Sequence, residues 1–198
     1  MTPGLRDAKR VAVARRLARI AFEQVRDRGL GEVTVDGIVA EAEVSRRTFS
    51  NYYLCKEAAV AAIVVHSVEA ALAEWDPPES VDVLDLARDL VEHQLRTGAL
   101  RQLTAVATLA SEHPQLVPFV RDAQWQVWSA AGDKILQAVP DPDSAAIETL
   151  GLVVGALFGI VSASLNATGV RDGDAALLLH ASALRGLARL ERGLGRPR

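Results

Sequence analysis

Two helix starts stand eleven residues apart in this chain, and that spacing most tightly constrains what it can fold into. Thr34 suits the first start, because its hydroxyl can accept from the free N–H groups of the opening turn, and Val33 and Ile38 flank it as a hydrophobic staple. Ser45 repeats the pattern with Val44 and Phe49. Between the caps there is room for about two helical turns and a short connection, the outline of a helix-turn-helix.

Angular spacing sorts the residues of the second helix. At about 100° per residue, Phe49 and Tyr53 share a face that should pack inward. Arg47 and Asn51 fall opposite, flanked by Thr48 and Ser50, with Arg46 and Tyr52 on the shoulders. Arg pairs bidentately with guanine, Asn with adenine, and Thr or Ser with several base edges, so this face suits the major groove of double-stranded DNA. Arg46 and Tyr52 are placed for phosphates, which fix register without reading sequence. Lys56 opens the next helix, where its charge and the free N–H groups can hold another phosphate. Thr34 and Ser45, at the two helix starts, complete the candidate DNA-binding set. A plain helical hairpin with a solvated charged face is the alternative reading of the same pattern.

Several segments together extend the pattern: Arg26-Asp27-Arg28-Gly29 after an amphipathic helix, Val33-Thr34-Val35, Val44-Ser45-Arg46-Arg47-Thr48-Phe49, Tyr52-Tyr53 and Lys56-Glu57-Ala58. Over roughly residues 10–65 the chain thereby resembles the tetracycline-repressor (TetR) family of bacterial transcription regulators. The resemblance implies a three-helix DNA-binding head, a helical ligand-binding and dimerisation body, and a four-helix dimer interface built from the last two helices of each subunit. The chain departs from the family pattern at four places. Glu43 stands where the motif turn usually has glycine, Gly37 lies inside the first motif helix, Val25 replaces a large aromatic, and Cys55 takes a cap position usually Ser, Asn or Asp.

Charge has the distribution such a head requires. The chain carries −3 overall, yet residues 1–60 hold 11 Lys and Arg against 8 Asp and Glu, and the remainder holds 11 against 17. A basic head on an acidic body is the expected asymmetry. Arg6, Lys9, Arg10, Arg15, Arg16 and Arg19 cluster before the motif, where phosphate contact and an ordinary solvated face explain them equally.

Past the head, apolar spacing is helical throughout and nothing alternates as a strand would. The spacing predicts helices over Glu57 to about Glu74, Val81 to about Thr97, Leu100 to about Ser111, through Trp125 and Trp128 to about Val139, Ser144 to about Asn166, and from Asp172 or Gly173 to about Arg192. With three short helices in front the expectation is an all-α chain of about nine, divided into a 1–56 head and a 57–198 body. Ala176, Leu177, Leu179, His180, Ala183, Leu184, Leu187 and Leu190 give the last helix an apolar stripe.

The stretch Thr149 to Val170 has no charge and is nearly long enough to span a bilayer. Gly151, Gly155, Gly159 and Ala163 nevertheless recur every fourth residue, a stripe that lets another helix approach closely, and Ser162, Ser164, Asn166 and Thr168 dilute its apolarity. A dimer interface containing Gly151, Gly155, Gly159, Leu177, Leu184 and Leu187 is therefore expected, and no membrane. No signal peptide is visible at the polar, basic start, and the single Cys55 suits a reducing cytoplasm. At a helix N-terminus its thiolate would be favoured as a redox switch; the alternative is a small semi-apolar side chain.

A ligand pocket is only loosely indicated. His66, His93, Phe119, Gln124, Trp125, Trp128 and Phe158, with Trp75, are large or polar residues on the body helices. They suit an apolar or amphipathic small-molecule effector, although each aromatic also reads as core packing. The four histidines lack metal-ligand spacing, and no phosphate loop or nucleophile elbow occurs, so neither an enzyme, a metal nor a cofactor is expected. The expected function is a homodimeric repressor on a palindromic operator, released by its effector. The rival is a dimeric helical sensor or adaptor without specific DNA binding.

Overall fold

The computed structural model describes residues 5–79, 82–167 and 175–193. Among these, every regular element is helical: nine α-helices and two 3-10 turns, as the apolar spacing requires. The all-α expectation holds, with one difference in front. Helix α1 is long, 24 residues over Leu5–Arg28. Its second half buries Leu17, Ile20, Ala21 and Val25 on a helical stripe, whereas its first turns are exposed and basic.

A 3-10 turn at Leu30–Glu32 leads to α2, Val35–Glu41, and α3, Arg46–Ser50. Both caps form: Thr34 accepts from the Gly37 N–H at 3.1 Å and Ser45 from the Thr48 N–H at 3.0 Å. Between the helices Glu43 adopts φ +51, the left-handed conformation that glycine takes most cheaply. The Val44 N–H donates to the Val39 carbonyl and the Glu43 N–H to the Ala40 carbonyl. This paired reversal closes a helix end efficiently, so the turn is kept despite a side chain there.

Helix α4, Lys56–Glu74, is the central strut, packed against α1 on one side and α7 on the other. Its end is tied down by Trp75, whose buried indole N–H donates to Asp89 of α5 at 2.7 Å. Helix α5, Val83–Arg96, starts at Asp82, which accepts from the Leu84 and Asp85 N–H groups; the start expected at Val81 lies outside the described residues. Helices α6, Ala99–Glu112, and α7, Val117–Ala138, follow. Helix α8 spans Ser144–Ala167, and Asp143 rather than Ser144 supplies its cap, accepting from the Ala146 N–H at 2.8 Å. Helix α9 covers Ala175–Gly193; the start expected at Asp172 or Gly173, and Thr168, lie outside the described residues, as do the side chains of Ser164 and Asn166.

One continuous apolar core runs from Leu17 and Phe49 through α4 to Leu187 on α9. Where α8 crosses α9, a Cβ at Gly186 would meet the end of the Ile160 side chain, so a larger residue there requires Ile160 to move.

Candidate nucleic-acid interface

The inner face of α3 forms as the spacing predicts. Phe49 is 1% exposed, and its ring lies 5.8 Å from that of Tyr53, tilted at 56°. Helix α3 ends at Ser50, yet the Tyr52 and Tyr53 N–H groups still reach the Phe49 carbonyl at 2.9 Å, so the helical phase survives past its end. Arg47 and Asn51 therefore stand outward together, both exposed. Among the described residues neither side chain has a hydrogen bond or ion pair.

Their neighbours are already committed. The Ser45 and Thr48 hydroxyls bond each other at 2.9 Å, and the Ser50 hydroxyl donates to the Arg46 carbonyl at 3.1 Å. Arg46 makes a two-pronged pair with Asp36 of α2. That bond holds the Asp36 carboxyl below its ordinary range and raises the arginine further. Arg46 therefore ties α3 to α2 rather than standing free for a phosphate. A depressed carboxyl pKa stabilises the fold fully above the ordinary carboxylate value and loses that contribution as pH falls through the folded value. Asp36→Asn is accordingly expected to lower the melting temperature at neutral pH and to make no difference in acid, which parallel melts across pH would show.

Lys56 departs most from expectation. Its ammonium donates to the Leu30 and Val33 carbonyls, both at 2.7 Å, and so is turned into the protein instead of toward a phosphate. It closes the loop between α1 and α2 onto the start of α4. Lys56→Met is expected to destabilise the chain by about 1.5–3 kcal/mol, the range for hydrogen bonds to a charged group, while leaving the salt dependence of DNA binding unchanged. Urea unfolding and a salt titration would check the two halves.

Other contacts tie the helix pair to α1, to α4 and to the turn before α7. Tyr53 donates its hydroxyl proton to the Ala14 carbonyl at 2.8 Å and lies 2.9 Å from His66 Nε2. Burial, and then the charge of Glu69, push the Tyr53 phenol well above its usual value, so it stays protonated and able to donate. The Leu30 N–H points at His113 Nε2 at 3.4 Å. Gln24, 5% exposed, lays its amide on Gly37 and Glu41 and fixes α2 against α1. Spacing marked neither Gln24 nor Asp36; only the oddity of a glutamine on the buried stripe of α1 signalled the first.

Of the α1 cations, Arg16 reaches Glu43 and the Glu41 carbonyl at 3.5 Å, and Arg19 pairs with Glu23 at 2.8 Å. The first keeps Glu43 from standing as an uncompensated negative charge in the motif turn. Arg6, Lys9, Arg10 and Arg15 are exposed and have no ion pair among the described residues. Cys55 occupies the cap of α4 without a side-chain cap bond, and burial foremost raises its thiol, against the thiolate that a redox switch needs.

The residues suggested for a ligand are not brought together. Trp128 meets Phe158 edge to face, centroids 6.2 Å apart, and borders an apolar cavity of about 40 Å³ with Leu90, Leu103, Leu157 and Leu179. His66 and Phe119 instead line a cleft between α1, the loop after α3, α4 and α7. His93 bonds the Ala71 carbonyl at 2.8 Å, Trp125 is 69% exposed, and Gln124 lines neither space.

Gly151, Gly155 and Gly159 line up on the exposed side of α8, with nothing within 4 Å of where their Cβ atoms would stand. Leu152 on the same helix and Leu177 on α9 are more than half exposed, whereas Leu184 is half-buried and Leu187 is fully buried in the chain's own core. Leu187 is thus no interface residue. Over Ser144–Ala163 the mean hydropathy of 1.9 would suit a membrane span, and only 22% of that window is buried.

No protein-family model and no curated protein matches the chain significantly. Among solved structures it is similar to one from Mesorhizobium loti assigned to the TetR family of transcriptional regulators, with 16% identity over 91% of this chain and 97% of that one and a TM-score of 0.46. It is similar also to a TetR transcriptional regulator from a Rhodococcus species, with 19% identity over 93% and 100% and a TM-score of 0.48. Similarity of this depth concerns the course of the backbone alone.

Proposed function

We propose that this chain is a DNA-binding transcriptional regulator of the tetracycline-repressor type. In this reading it is a homodimeric repressor that holds a palindromic operator and releases it when a small apolar or amphipathic effector binds. The observation that carries the reading is the outer face of α3, where Arg47 and Asn51 are exposed and uncommitted while the groups around them are tied down. A short helix stiffened at both ends, with one guanidinium and one carboxamide pointing outward, is what base-edge recognition needs. Residues 1–56 act as the head and residues 57–198 as the body. Arg6, Lys9, Arg10 and Arg15 supply phosphate contacts in place of Lys56.

Dimerisation follows from the reading of a palindrome, because one such helix covers only a few base pairs. The glycine stripe of α8 with Leu152 and Leu177 supplies an isologous surface. The effector enters the apolar space around Trp128, which is too small as it stands and so must widen, giving the ligand a preference for one arrangement of the body. Such a protein works in the cytoplasm, beside its DNA.

Fluorescence anisotropy tests the reading, with duplexes drawn from the DNA upstream of the chain's own gene and with random duplexes as competitor. One upstream duplex is expected to bind at least about 10³-fold more tightly than random DNA, with affinity falling steeply as salt rises. Equal affinity for every duplex would favour the adaptor reading.

A further inference from the structure

A second space lies away from the apolar interior, between α1, the loop after α3, α4 and α7. It is an open cleft of about 320 Å³, within the size range of small-molecule sites. Alanines make the room: Ala14 on α1, Ala58 and Ala62 on α4 and Ala123 on α7 stand where larger side chains would close the gap. Tyr52 and Phe119, both partly buried, provide aromatic surface at the wall. The charges at the cleft are Glu69 and Asp122, and among the described residues neither a lysine nor an arginine lines it. His66 approaches Glu69 at 3.3 Å, and Asp122 accepts from Gln126 at 2.8 Å, a neutral partner.

We infer that this cleft binds a small organic cation with an apolar or aromatic body, an ammonium group seated between Glu69 and Asp122 and its carbon skeleton against Tyr52, Phe119 and the alanine floor. Carboxylates draw the positive charge to the cleft, and the aromatic rings add cation–π attraction at close range. Such a ligand touches the head through Ala14, Tyr52 and Tyr53 and the body through α4 and α7 at once. This site is distinct from the apolar cavity at Trp128, with which it shares no residue.

The test is calorimetric titration of the full-length protein, without DNA, using benzyltrimethylammonium, with benzyl alcohol and benzenesulfonate as neutral and anionic counterparts. Saturable binding of the cation alone, weakened by salt, is expected. The double variant Glu69→Gln with Asp122→Asn should weaken it about tenfold, or ~1.4 kcal/mol, the scale of two partly exposed charge contacts. Ala62→Leu, which fills the cleft on a half-buried helical position, should abolish it while melting curves remain cooperative. Equal binding of the three probes, cation binding indifferent to both variants, or no binding up to millimolar concentration would overturn the inference. Because no DNA enters the measurement, its failure is separable from any failure of operator binding.

Discussion

Replacing Arg47 by alanine is expected to cost operator affinity about 1–3 kcal/mol and to relax preference at one base position, and Asn51→Ala should do the same at another. The two side chains stand one turn apart with no partner among the described residues, so truncation removes nothing the fold uses there and melting temperatures should not move. Their losses should add where each side chain addresses its own base pair. Arg46→Ala makes the informative contrast. Its guanidinium is already bound to Asp36, and its loss should appear in stability before it appears in sequence preference. Anisotropy against a set of singly substituted operators separates these effects. If Arg47→Ala and Asn51→Ala both keep the wild-type order of preference across that set, α3 does not read the bases.

The head was legible where the signal is local. Caps at Thr34 and Ser45 and the Phe49–Tyr53 face follow from neighbours within one turn, and both form. What sequence spacing could not show is competition between partners. A lysine at a helix start reads as a phosphate ligand until the fold brings the Leu30 and Val33 carbonyls within 2.7 Å of it. An arginine on a helix shoulder reads as free until Asp36 arrives from the preceding helix. Both contacts span ten or more residues, beyond the reach of any periodicity. Glu43 shows the opposite limit: the left-handed turn that glycine favours is kept because two backbone hydrogen bonds and the Arg16 charge hold it. In the body, helix number and most boundaries follow from apolar spacing, but the ligand residues scatter because size and polarity alone do not say which side of a helix faces a cavity.

These head-to-body contacts also bear on how a body could influence a head. Tyr53 through His66 and Leu30 through His113 each join the two with a polar contact, Lys56 ties the start of α4 to the Leu30 and Val33 carbonyls, and the core beneath them is continuous. A change in the body that moved α4 would strain those bridges, since α4 carries Lys56 at one end and packs along α7 for much of its length. Packed interfaces of this kind shift between discrete arrangements rather than deforming smoothly.

The glycines of the last helices give the other large expected effect. Gly155 and Gly186 are both helical, yet their surroundings are opposite: open space at the first, the Ile160 side chain against a notional Cβ at the second. Gly155→Leu should therefore leave the single chain as stable or raise it by up to about 1 kcal/mol, the helix penalty of glycine being relieved. In a dimer packed through this stripe the same change occurs twice across a twofold axis, and overpacking costs about 1–3 kcal/mol at each occurrence. Dimer dissociation should then strengthen by roughly 30-fold or more. Operator binding would fall with it, because two heads would no longer be held together. Gly186→Leu should do the reverse in kind: it pushes Ile160 out of the α8–α9 contact and lowers the stability of the chain itself by about 1–3 kcal/mol. Sedimentation equilibrium and urea unfolding on the two variants separate these outcomes. A Gly155→Leu protein that is still a full-strength dimer would remove α8 from the interface, and with it the geometry proposed for setting two recognition helices on one palindrome.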